Sequence, residues 1–487
     1  MRRAPWVAAA AVLLTGCSGG ESSSAPDPSP TPATSDADST PTADDPAYDV
    51  ALSEPAEDRV YPDVGDPGVD ALHYDLDLTW DPGSSILTGA ETLVFRSTED
   101  DDEFQLDLEP SLEVDEVTLD GEPVEFEQHG KDLVMTADVA TDERYVVEID
   151  YSGTPRPVDA PTSRVDVPQL GFTTVSDGSA WTMQEPFGAY TWYAGNDQPS
   201  DKSLYDFTLR VAEPMVGVAN GELQSQETVD GQEVTEWHLE EPAASYLVTV
   251  AFGDYVTAEE TSAGGTPVTI WYPADEPTAT LDSLRETTVA ALDWAEERLG
   301  PYPFDTLGFL FVDSTSGMET QTMITLGLTE FTLAEPVQVH EVVHQWWGNQ
   351  VTPRDWRDLW MNEGMTMYLQ WLWESEHGGP ALEDRLAEIA SDAPALRSEA
   401  GPPASYDPQA FAERNVYYLP ALMWHQVRDR LGDDEFFRLV REWPASHDNQ
   451  NAGYDEITTW WEEQSGEELS RIFRTHLLSR RQPMPIP

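Results

Sequence analysis

The stretch VHEVVHQWWGN (residues 339–349) places two histidines four positions apart, with a glutamate directly after the first. On a helix, residues i and i+4 lie one above the other on the same face. His340 and His344 can therefore aim their imidazoles at one shared point, with Glu341 beside that point but not directed straight at it. In the H-E-x-x-H arrangement both histidines bind zinc, and the glutamate is left to act on a metal-bound water. The competing reading is a core helix. Val339, Val342, Val343, Trp346 and Trp347 are apolar enough to bury such a segment, with both histidines satisfied by hydrogen bonds.

A catalytic zinc site takes three protein ligands and keeps one position for water, whereas a structural site takes four. The sole cysteine, Cys17, lies in the N-terminal leader, so a thiolate site is excluded. Downstream, DLWMNEGMTMYLQWLWESEHG (residues 358–378) has apolar residues spread widely enough to predict a mostly buried helix. Near its start stands Glu363, among Trp360, Met361, Met365 and Met367. Burying a carboxylate there is costly unless it is paired or bound to metal. The alternative is a solvated glutamate on an exposed strip of that helix.

H-E-x-x-H followed by eighteen residues and a glutamate resembles the gluzincin metallopeptidases, specifically the aminopeptidase N and leukotriene hydrolase family. HQWWGNQVTPRDWRDLWMNEG (residues 344–364) is similar to that family's H-Q-W-F-G-N-x-V-T-x-x-x-W-x-D-L-W-L-N-E-G over its whole length. The resemblance runs from about Tyr61 to the end of the sequence. It implies a zinc ion held by His340, His344 and Glu363, with Glu341 as the general base that activates a zinc-bound water. The family pattern V-Y-x-K-G-A falls on residues 416–421 and implies Tyr417 as the phenol that stabilises the oxyanion. Leu419 and Pro420 replace the lysine and glycine, and Tyr418 stands beside it as a rival.

The family's G-x-M-E-N strand falls on Ser316, Gly317, Met318, Glu319 and Thr320, so serine replaces the first glycine and threonine the asparagine. By resemblance Glu319 binds the substrate's free ammonium, with Gly317 and Met318 as further substrate contacts. LGFLFV (residues 307–312), just upstream, is β-rich and apolar and reads as an edge strand lining the cleft. A second amine contact is implied at Glu185, from the match of MQEPFGAYTWYAGNDQPSDK (residues 183–202). The expected activity is a zinc-dependent aminopeptidase acting on peptides. Its rivals are a metalloendopeptidase, an epoxide hydrolase of the same family, or a surface lipoprotein that binds without catalysis.

Residues 1–17, MRRAPWVAAAAVLLTGC, have a basic start, a short apolar run and L-T-G-C. They read as a secretory signal ending in a lipid-attachment cysteine, which predicts an extracytoplasmic, cell-surface protein anchored to the membrane through Cys17 alone. Residues 18–57 are rich in Ser, Thr, Pro, Asp and Ala and are expected to form a disordered linker. Short alternating runs follow, from HYDLDLTW at His73 to SYLVTVAFG (residues 245–253), predicting an all-β domain over 58–256. LDSLRETTVAALDWAEERLGPYPF (residues 281–304) reads as a helix stopped at Gly300 and Pro301, and later segments are mostly helical. The expected fold class is α+β, an N-terminal all-β domain followed by a mainly helical, thermolysin-like zinc peptidase domain over 257–487. Against the family's larger members it is expected to be a short form without the long C-terminal helical domain.

The formal net charge is −67, with 92 acidic against 25 basic residues, and Lys131 and Lys202 are the only lysines. Such a surface repels nucleic acid and anionic membranes. The acid excess looks like an adaptation to high salt. A genome favouring arginine would account for the missing lysine but not for the added acid.

Overall fold

The computed structural model describes residues 42–480. The leader with Cys17, and the linker up to residue 41, lie outside the described residues. The rest of the expected linker is ordered. Pro46–Ala51 forms a 3-10 helix capped by the Asp45 carboxylate, and Ala51 is buried with Leu72, Val94 and Val146. The Ser53 amide donates to Asp70 (3.0 Å), and Arg96 donates to the Ser53 carbonyl (2.8 Å). Its few apolar residues find a sheet to cover, so composition alone misjudged this segment.

The N-terminal half is built on an eight-stranded sheet. Val69–Asp81 lies inside it, parallel to Lys202–Ala212 and antiparallel to Ile86–Ser97. From Tyr74 to Trp80 every second residue is buried, the period-2 pattern of a strand with one face on the core. Tyr74 lies opposite Tyr205 across the parallel pair, and their rings stack at 5.1 Å. A second, five-stranded sheet pairs Ala180–Met183 with Gln169–Thr174 and Val250–Gly253. Of SYLVTVAFG only Val250–Gly253 is strand, because Ser245–Leu247 closes a 3-10 turn.

A further five-stranded sheet begins at Tyr255. Tyr255–Thr261 pairs with Pro267–Pro273, which runs parallel to Leu307–Val312. Leu307–Val312 is an interior strand, not the edge expected from its sequence, since Met323–Gly327 flanks it on the other side. All six of its residues are buried, as a parallel strand covered on both faces requires. The edge is the two-residue strand Gly317–Met318, paired with Leu326 and Thr325.

The helices are α1 (Thr278–Leu299), α2 (Glu335–His344), α3 (Leu359–Glu376), α4 (Leu382–Ala400), α5 (Arg414–Leu431), α6 (Asp433–Ser446), α7 (Tyr454–Ser465) and α8 (Ser470–Leu477). As the sequence predicts, α1 stops at Gly300, whose φ of +99° suits glycine. Helices α2 and α3 carry the two halves of the long motif, and α5 packs along α3. The two halves meet in a buried cluster in which Phe172, Trp192 and Tyr246 join Leu310, Trp356 and Val416, and the helical half has a second core around Trp347, Trp360 and Trp424. No helix of the described residues is long and apolar enough to cross a membrane.

Candidate metal centre

Helix α2 ends on His344, and its last turn brings His340 Nε2 within 3.1 Å of His344 Nε2. From α3, Glu363 Oε2 completes a triangle at 3.2 Å from His340 Nε2 and 3.3 Å from His344 Nε2. Zinc–ligand bonds of about 2.0–2.1 Å at tetrahedral angles separate neighbouring donors by about 3.3–3.4 Å, so the triangle is of zinc-binding size. The far nitrogens fix the tautomers. His340 Nδ1 donates to Gln370 Oε1 and His344 Nδ1 to the Trp347 carbonyl, both at 3.1 Å. That leaves two Nε2 atoms and a buried carboxylate oxygen facing one another, an arrangement that a bound cation would relieve. A His₂Glu donor set with this geometry fits zinc.

Supporting groups lie one step further out. Gln370 Nε2 donates to Glu374 (2.9 Å), which Arg385 holds from α4 (2.9 Å). After α2 the chain reverses at Gly348, where φ is +138° and a Cβ would press within 3.2 Å of His344 Nδ1. Gln345 and Asn349, the other polar residues of the opening motif, both donate to the Glu319 carbonyl (3.1 and 2.7 Å). The motif thus tethers the edge-strand segment to the ligand helix.

Glu341 stays outside the triangle. Its carboxylate lies over Gly317, where a Cβ would come within 2.9 Å of Oε1, so the missing side chain makes room for it. Burial, then the neighbouring Glu319, push its pKa up to about 8, and the charge of a divalent cation would pull it back down. Glu185, Glu319 and Glu363 each offer an oxygen within 4.8 Å of the others. Glu185 Oε1 and Glu319 Oε1 are buried without a hydrogen-bond partner. Burial raises both pKa values, and for Glu185 the charge of Glu319 adds to it. Two carboxylate oxygens without a hydrogen-bond partner thus lie beside the His340–His344–Glu363 triangle.

Tyr417, in the first turn of α5, has its ring 6.1 Å from that of His340. Tyr418 turns instead onto Trp371 (5.6 Å), with the Arg414 guanidinium over its ring. Both line the cleft, but Tyr417 is the one whose ring lies against His340. Pro420, the departure from the family pattern, packs directly on Gly364, so α5 approaches α3 beside Glu363. Thr320 turns its hydroxyl inward to Thr325 (3.0 Å) and the Met323 carbonyl, away from the cleft. Ser316, Gly317 and Met318 line it.

The cleft has a volume of about 460 Å³ and draws on both halves of the chain. Sequence reading missed Arg164, which reaches it from a loop of the N-terminal half and is held there by Asp166, and Gln370 and Glu374 behind His340. The loop has no periodicity or motif to betray it, and Gln370 lies seven positions beyond Glu363, two helical turns along the same face.

A family profile described as Peptidase family M1 domain matches residues 284–476, and one described as Peptidase M1 N-terminal domain matches 70–247. The chain is 28% identical over 210 residues to a rat glutamyl aminopeptidase, covering 40% of this chain and 22% of that protein. It is 23% identical over 416 residues to aminopeptidase N of Lactobacillus helveticus, covering 79% of this chain and 48% of that one. These matches span half or less of the relatives' length. Among solved structures, a mutant M1 zinc metallopeptidase from Deinococcus radiodurans bound to a Tyr-Ser-Ala substrate superposes with a TM-score of 0.79. It is 25% identical, and the match covers 88% of this chain and 99% of that one.

Proposed function

The chain belongs to peptidase family M1, and from that premise we propose that it is a zinc-dependent aminopeptidase that removes the N-terminal residue of peptides. The observation that carries the exopeptidase reading is the pair of partnerless carboxylate oxygens on Glu185 and Glu319, beside the His340–His344–Glu363 triangle. They suit the α-ammonium of a peptide whose first carbonyl lies at the triangle. The solved relative with a bound tripeptide substrate supports the peptide class.

In this reading His340, His344 and Glu363 hold zinc, which when bound supplies Lewis acidity and acidifies its water to a pKa of about 7. Glu341 takes the proton of the attacking water and returns it to the leaving amine, a role worth about 10²- to 10⁴-fold. The Tyr417 hydroxyl donates to the carbonyl oxygen as negative charge develops there. Glu185 and Glu319 fix the register, so that the first peptide bond is the one presented.

Free-amine and acetylated peptides, assayed with the native chain and Glu319→Ala, test this. Losing a charge-assisted hydrogen bond of about 1.5–3 kcal/mol should lower kcat/KM for free-amine substrates by roughly 10- to 150-fold. Acetylation should abolish cleavage of the first bond. Equal cleavage of blocked and free peptides by the native chain would overturn the exopeptidase reading in favour of an endopeptidase.

The leader supports, by sequence alone, a place outside the cytoplasm on a lipid attached to Cys17. Metabolic labelling with a radioactive fatty acid should mark the native chain and not Cys17→Ser. Equal labelling of the two would remove this proposal.

A further inference from the structure

The loop 160–168 leaves the N-terminal half and is fastened across the cleft to the segment leading into α5. The Phe411 amide donates to the Pro161 carbonyl (3.0 Å), and Ser163 bonds Glu413. At its centre Arg164 pairs with Asp166 through Nε (3.2 Å) and Nη2 (2.5 Å). Its Nη1 donates to the Ala412 carbonyl (3.3 Å) and to the Tyr417 hydroxyl oxygen (3.2 Å). Asp166 is held in turn by the edge-strand segment, since its carbonyl accepts from Thr315 Oγ1 (3.1 Å) and its carboxylate from Ser316 Oγ (3.5 Å). Ser316 is the serine that replaces the family's glycine, and this contact gives that departure a use.

A guanidinium can only donate. Tyr417 Oη therefore accepts from Arg164, and the single phenolic proton must point elsewhere. We propose that Arg164, clamped by Asp166, is a positioning residue that keeps the Tyr417 hydroxyl an acceptor toward the loop and so a donor toward the substrate's carbonyl oxygen. Its positive charge also makes the phenol a stronger donor. The inference rests on the reading of Tyr417 given above. A loop that merely braces α5 would show the same contacts to Ala412 and Glu413 but would have no effect transmitted through the phenol.

A double-mutant cycle separates these. Tyr417→Phe should lower kcat by about 10²- to 10³-fold, as for loss of one oxyanion donor. Arg164→Met should lower kcat by about 10- to 100-fold with little change in KM, since the orienting bond to a charged donor is lost. In the Tyr417→Phe background, Arg164→Met should cost less than about 3-fold more, because its route to the substrate is already gone. Equal factors on both backgrounds would overturn the inference while leaving Tyr417 as oxyanion donor. An unchanged kcat in Tyr417→Phe would overturn the Tyr417 reading and the inference with it. Asp166→Asn, which keeps the Arg164 charge but loosens its clamp, gives a second cycle should Arg164→Met fail to fold. Recovery of Arg164→Ala turnover by added guanidinium, with Tyr417 present and not with phenylalanine there, is expected; recovery on both backgrounds would count against it.

Discussion

At the scale of single residues, the proposed site keeps the groups that would hold a metal apart from the one that would move a proton. His340, His344 and Glu363 have donor atoms 3.1–3.3 Å apart, while Glu341 is turned to the space above Gly317. Glu341→Gln keeps the side chain's size and removes only its basicity. Elemental analysis should therefore find the variant's zinc content unchanged, with turnover down by at least about 10²-fold. A variant that lost its metal would place Glu341 among the ligands, and near-normal turnover would end its role as base. The same scale shows where a departure from the family pattern goes: Thr320 spends its hydroxyl inside the sheet, on Thr325 and the Met323 carbonyl.

At the scale of elements, the site depends on how closely α3 and α5 approach. Gly364 follows Glu363, the proposed ligand, and Pro420 fills the place where its side chain would be. Proline inside a helix removes one hydrogen bond and bends it, and α5 tolerates this with its first turn carrying Tyr417 to the cleft. Gly364→Ala would force the helices apart. Overpacking of this kind typically costs about 1–3 kcal/mol, so thermal melting should fall by several degrees, and competition with a chelator should reveal weaker zinc binding. Unchanged melting and metal affinity would mean that the two helices slide freely, and that their close contact does not set the ligand position.

At the scale of the whole molecule, charge is the dominant fact. With 92 acidic and 25 basic side chains, repulsion between surface carboxylates opposes the compact state. The screening length falls from about 8 Å at physiological salt to about 3 Å at 1 M. The melting temperature of the native chain should therefore rise markedly from low to molar salt. A flat response would show that the acid excess is carried without cost and would count against an adaptation to high salt. The cleft repeats the theme in miniature, since Glu185, Glu319, Glu341 and Glu363 are gathered in one place whose charge a divalent metal and an ammonium would offset in large part.

What the residues determined by themselves is whatever local periodicity and spacing control. The i,i+4 step of α2, the buried helix around Glu363, the alternation from Tyr74 to Trp80 and the stop of α1 at Gly300 all depend on neighbours within a few turns of chain, and they were legible. The family resemblance picked out Glu185, Glu319 and Tyr417, which the fold gathers in one cleft. Tertiary structure alone decided the remainder. Leu307–Val312 is interior because two parallel neighbours cover it, residues 46–51 are ordered because a sheet offers Ala51 a place, and Arg164 meets Tyr417 across 253 positions of sequence. A contact of that kind leaves no periodic trace, because it is set by how two separately folded layers share a core and not by the backbone geometry of either.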